Sequence, residues 1–86
     1  MTLDLTPLQR DVAEAVSRLS VDGPISGRAV MRDLDLVSSS ATYAVIRQLR
    51  RLGVVRFDDG SSNTLRMAPG VTMIQGVPHR ALEVRS

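Results

Sequence analysis

The chain has 86 residues and a net charge of +2, with eleven arginines, no lysine, no cysteine and one histidine. Its length fits one small domain; the lack of cysteine excludes disulfides and thiolate metal sites, and the lone His79 has no partner ligands at metal-binding spacing. No apolar run approaches the roughly 18 residues of a membrane span, and MTLDLTPLQRD lacks the order of a signal peptide, so a cytoplasmic protein is expected.

Thr6-Pro7-Leu8-Gln9 reads as a helix start: Thr6 caps, Pro7 suits the first helical position and Gln9 completes a capping box. Leu8, Val12, Val16 and Leu19 then recur at helical spacing, which places a first helix at about residues 7–20. Val21-Asp22-Gly23-Pro24 ends it. Ile25 is read as a brief strand or an extended anchor. Ser26 caps a short second helix, 27–34, with Ala29, Val30, Met31 and Leu34 as its apolar positions, although Gly27 weakens it. Asp35-Leu36-Val37 forms a tight connection with Leu36 as its buried plug.

Ser38 or Ser39 caps a third helix, 39–52. Ala41, Val45, Leu49 and Leu52 make its apolar stripe, with Ile46 beside it. Tyr43, Arg47, Arg50 and Arg51 fall on the other side, and Gly53 stops the helix as a left-handed cap. Val54-Val55-Arg56-Phe57 and Thr64-Leu65-Arg66-Met67 are strand-like, and the turn formers between them make a hairpin with a polar tip. Val71-Thr72-Met73-Ile74 is a candidate further strand. Residues 79–86 are expected either to be disordered or to dock in a partner, with His79 solvated.

Charge is unevenly placed along this order. Residues 1–37 carry four arginines and six acids, a net −2; residues 38–67 carry five arginines and two acids, a net +3; residues 68–86 carry a net +1. Basic charge therefore gathers on the third helix and the hairpin, as expected of a face turned towards an anion. Three helices followed by a hairpin is the element order of a winged helix-turn-helix, an α+β fold that is mainly α. The expected domain is 1–68, with a C-terminal tail, 69–86, as a candidate dimer contact. In such a fold the third helix enters the major groove of double-stranded DNA.

The chain resembles the N-terminal DNA-binding domain of the LexA-type SOS repressors. The similarity begins at LTPLQRDV and continues through Gly23-Pro24 and Arg28-Ala29. Ser38, Ala41, Leu49, Gly53-Val54, Gly60 and Arg66 then match without a gap from Leu34 to Met67. It covers about residues 3–68. Two departures stand out. The sequence has no lysine, so the serine–lysine self-cleavage of that family is not expected here. The family has Pro-Asn after its matching serine and two glutamates later in the helix; this chain has Ser39, Ser40, Tyr43 and Ala44 there. The SOS box is therefore not the expected target.

The resemblance implies that Ser38, Ser39, Ser40, Ala41, Tyr43 and Ala44 face the groove, and Thr42, within the same run, is expected among the DNA contacts as well. The physical chemistry adds to this. Serine hydroxyls donate to phosphate or to base edges, and a helix N-terminus offers free N–H groups. Arg47 reaches the backbone or a guanine, and Arg28 is placed for a flanking phosphate. Ser61, Ser62 and Asn63, in a wing spanning 58–64, enter the minor groove or touch its phosphates, with Arg66 behind them. Against this, a serine run ahead of a helix is first of all a cap, although one cap leaves two serines over. Arg50 and Arg51 read as a solvated face. Asp58 and Asp59 repel phosphates unless Arg56 and Arg66 offset them.

The expected function is a sequence-specific DNA-binding regulator of transcription, a repressor of bacterial or phage origin acting as a homodimer on two half-sites. The alternative is a protein-interaction or DNA-packaging module on the same fold. No phosphate loop, metal cluster or nucleophile–base pair is visible, so no enzyme activity, cofactor or small-molecule ligand is expected.

Overall fold

The computed structural model describes residues 4–80. Three helices come first: α1 is Pro7–Leu19, α2 is Gly27–Leu34 and α3 is Ser39–Arg51. Two antiparallel hairpins follow: β1, Val55–Arg56, pairs with β2, Arg66–Met67, and β3, Val71–Ile74, pairs with β4, Val77–Arg80. The fold is α+β and mainly α, compatible with a winged-helix arrangement. No helix of the described residues is long and apolar enough to cross a membrane.

Each helix starts where its sequence supplies an acceptor for otherwise unpaired N–H groups. Thr6 Oγ1 accepts from the Gln9 N–H at 3.2 Å, and Gln9 Oε1 accepts from the Thr6 N–H at 3.0 Å. Ser26 Oγ accepts from the Ala29 N–H at 3.1 Å, and Ser38 Oγ from the Ala41 N–H at 3.2 Å. Ser38, not Ser39, is therefore the cap of α3. At its other end Gly53, with φ of 80°, turns the chain left-handed. The Gly53 N–H then reaches the Arg50 carbonyl at 3.0 Å, and the Val54 N–H the Leu49 carbonyl at 2.9 Å, a Schellman closure.

The core is small and aliphatic. Val12, Val16, Val30, Leu49, Val54 and Val55 are its largest fully buried members apart from Thr42. Ala13 and Ala15 complete the buried face of α1, and their small side chains permit close helix packing; Leu8, expected on that face, is exposed. Leu52, expected on the stripe of α3, is also exposed, because it caps the helix beyond its last packed turn. Leu36 packs against the core as the plug of the α2–α3 turn. α1 and α2 are clamped at the surface by Arg18, whose guanidinium donates to both oxygens of Asp33 at 2.9 Å. That two-pronged bond holds the Asp33 carboxyl below its ordinary range.

Ile25 settles between its two expected forms as a single bridge. Its N–H reaches the Leu65 carbonyl at 2.8 Å, and the Leu65 N–H returns to the Ile25 carbonyl at 2.9 Å. The strand order is thus Ile25, β2, β1. The strands of the first hairpin are two residues each, shorter than the expected 54–57 and 64–67, and the connection between them is correspondingly longer.

The tail departs most from expectation. Residues 71–80 form a complete hairpin, with Thr72 opposite His79 and Met73 opposite Pro78. Its turn, Gln75-Gly76, has φ of 52° and 78°, the pair of positive values that a tight two-residue hairpin turn demands. Pro78 is tolerated because β4 pairs with β3 alone, so its missing N–H breaks no second ladder. His79 is half-buried in β4, not in a solvated tail. β3 packs on α1, which ties the hairpin to the three-helix body. Residues 81–86 lie outside the described residues.

Candidate functional site

Helical periodicity divides α3 between core and surface. Thr42, Val45, Ile46 and Leu49 are buried. Thr42 is only 2% exposed and donates its hydroxyl to the Ser38 carbonyl at 2.8 Å, so it belongs to the core and is withdrawn from the expected contact face. Ser38, Ser39, Ser40, Ala41, Tyr43 and Arg47 are exposed. Among the described residues, Ser39, Ser40 and Arg47 make no side-chain hydrogen bond, and Arg47 has no carboxylate within 4.0 Å. The serine run thus divides its labour: Ser38 caps, and the next two hydroxyls are left to solvent. Val37, just ahead of the cap, is 96% exposed. Nothing in a one-residue turn position marks such a side chain in advance; its exposure follows from Leu36 taking the plug position.

Tyr43 sits where a glycine makes room for it. A Cβ on Gly27 would lie 2.5 Å from Tyr43 Cε1 and 2.9 Å from its hydroxyl, so the ring packs against the first turn of α2 in the space the glycine leaves. Arg28 follows directly, exposed and without a carboxylate within 4.0 Å among the described residues. The start of α2 and Tyr43 of α3 therefore meet at this glycine.

Across from Tyr43 stands the long loop of the first hairpin. A cleft runs between them, with Gly27 and Tyr43 on one wall and residues 60–63 on the other. The loop is braced by its own side chains. Thr64 Oγ1 accepts from the Asp58 N–H at 2.9 Å and donates to the Ser61 carbonyl at 3.3 Å. Gly60 and Asn63, with φ of 78° and 62°, supply its left-handed positions. Ser61, Ser62 and Asn63 are all exposed at its tip.

Arg66 parts company with them. Arg66 stands opposite Arg56 in the ladder, so both project to one face of the hairpin, whereas Leu65 lines the cleft beside Tyr43. Its guanidinium folds back to the Thr64 carbonyl and lies 3.9 Å from Asp58. Arg50, expected on a solvated face, is engaged too. It lies 3.9 Å over the Phe57 ring and donates to Asp59 at 2.9 Å and to the Phe57 carbonyl at 3.3 Å. Asp58 and Asp59 are thus offset by Arg66 and Arg50. Arg51 remains exposed, as expected of a solvated position.

Among the described residues no three of His, Cys, Asp and Glu are grouped so as to hold a metal ion. Comparison with known proteins returns no matching family, no matching curated protein and no matching solved structure.

Proposed function

We propose that the chain is a sequence-specific double-stranded DNA-binding regulator of transcription, built like the DNA-binding domain of LexA-type repressors. One observation carries this reading: α3 exposes Ser39, Ser40, Ala41, Tyr43 and Arg47, with no hydrogen-bond partner for the side chains of Ser39, Ser40 or Arg47 among the described residues. In this reading α3 lies in the major groove, which admits a single helix. The two free hydroxyls meet base edges or phosphate, and the methyl groups of Val37 and Ala41 meet thymine methyls. Arg47 takes a guanine edge or a phosphate. Arg28 takes the flanking phosphate, and Ser61, Ser62 and Asn63 enter the adjoining minor groove. One module this small reads few base pairs, so tight binding requires two copies on paired half-sites.

The test is selection from a randomised duplex pool, followed by titration of the enriched and shuffled duplexes across a salt series. A shared motif is expected, with an affinity that falls steeply as salt rises. Tyr43→Ala and Arg47→Ala should lose the preference while Arg51→Ala keeps it. Equal binding of enriched and shuffled duplexes by the wild type would sink sequence-specific recognition.

A further inference from the structure

The wing stem has a second flank. Phe57 and Asp58 line both the cleft beside Tyr43 and a separate groove on the other side. Four arginines from four elements converge on that groove: Arg50 of α3, Arg56 of β1, Arg66 of β2 and Arg80 of β4. It measures about 410 Å³, within the roughly 300–1,000 Å³ of ligand clefts. Two arginines stand directly opposite each other, Arg56 against Arg66, a like-charge cross-strand pair that weakens a ladder. Arg66 has Asp58 at 3.9 Å, but Arg56 and Arg80 have no carboxylate within 4.0 Å among the described residues. Arg80 donates to the Gly53 carbonyl at 3.2 Å, which holds its guanidinium at the groove. The order Ile25, β2, β1 also leaves the outer edge of β1 without a strand partner among the described residues.

We propose that this groove docks an acidic, extended segment of a protein partner, whose carboxylates are held by Arg56 and Arg80. The inference does not depend on the DNA-binding reading. A peptide fits better than a phosphate backbone for three reasons. The groove lies across the wing stem from Tyr43. Asp58 lines it and Asp59 caps Arg50 beside it, which an unbroken row of phosphates cannot avoid but spaced carboxylates can. Its floor includes the half-buried Phe57 and the exposed Pro69, with Val55 and Ala68 buried behind them, apolar surface suited to the side chains between those carboxylates. Arginine forks match carboxylates in two-pronged fashion, and an unpaired strand edge accepts an extended chain.

The experiment titrates the full chain with a fluorescent peptide of alternating glutamate and valine, and with the same peptide carrying glutamine for glutamate. Arg56→Glu, Arg56→Gln and Arg80→Gln are tested alongside, each with its thermal melt, and the two glutamine variants serve if Arg56→Glu does not fold. The glutamate peptide should bind at low salt and the glutamine peptide should not. Each variant should weaken peptide binding about tenfold while leaving binding to a random duplex unchanged. Equal binding of both peptides, or unchanged affinity in the variants, overturns the proposal. So does an inert peptide combined with weakened duplex binding, which would assign the groove to nucleic acid. Peptide binding without any duplex binding would uphold this proposal and fell only the DNA reading.

Discussion

The two ends of α3 put similar residues to different use. At its start, Ser39 and Ser40 make no side-chain hydrogen bond among the described residues, and neither does Arg47 on the same exposed side; near its end, Arg50 stacks on Phe57 and holds Asp59 and a wing carbonyl. The difference lies in what each end packs beside. The C-terminal half runs into β1 through the Gly53 turn, so its side chains meet the hairpin. In the N-terminal half Thr42 and Val45 pack into the core, while on the outer side Tyr43 rests against Gly27 and Ser39 and Ser40 face solvent. The end of the helix fixes the wing, and the outer side of its first turns is left free to meet something else.

The sharpest way to break this contrast is at the anchored end. Leu49→Ala should cost about 3 kcal/mol of stability, because Leu49 is fully buried at the centre of the core. Urea unfolding checks it, and a loss below about 1 kcal/mol would mean the core collapses around the gap. On the free face, Arg47→Ala should leave the melt unchanged and weaken binding to the selected duplex about tenfold, near 1.4 kcal/mol. Ser38→Ala should destabilise by about 1 kcal/mol through the lost cap, whereas Ser39→Ala and Ser40→Ala should stay within about 0.5 kcal/mol. Equal effects at all three serines would erase the division of labour. Asp59→Asn should change stability by less than about 1 kcal/mol, since the pair is exposed, yet speed hydrogen exchange in residues 57–65.

The smallest effect is one of pH and lies outside α3. The Asp33 carboxyl is held below its ordinary range by Arg18. Its stabilising contribution is therefore full above the unfolded value and lost as pH falls through the lowered, folded one. Melting temperature followed into acid should decline less steeply in Asp33→Asn than in the wild type. Parallel acid limbs would show that the clamp is absent in solution.

What was legible in the sequence was local. Thr6, Pro7 and Gln9 announce the start of α1 within four residues, and Gly53 announces the end of α3, because caps are decided by neighbours in the chain. The inward turn of Thr42 is legible in the spacing: it sits three, four and seven residues before Val45, Ile46 and Leu49, on their buried stripe, which outweighs its place in the run of expected contacts. The second hairpin was obscured by Pro78, which reads as a breaker unless its strand is known to pair on one side only. The roles of Arg50 and Arg66 had no local signal. Nothing in the run of the third helix tells that Arg50 will meet Phe57 and Asp59 across a turn, or that Arg66 will face away from the loop tip. Of the expected contact residues on α3, Ser39, Ser40, Ala41, Tyr43 and Arg47 are exposed, Ala44 is half-buried and Thr42 is buried; whether the exposed ones read DNA is the question the selection answers.

The contact between Gly27 and Tyr43 has a consequence for anyone who would re-aim this protein. Residue 27 lies on a different helix from the exposed face, yet any side chain there must displace the tyrosine ring. The two positions therefore form one setting rather than two. A library that varies position 43 over a fixed glycine explores side chains seated against α2. One that varies 27 as well explores rings swung outward, and so a different set of targets. Randomising the pair together would make the glycine a remote dial for what the helix prefers.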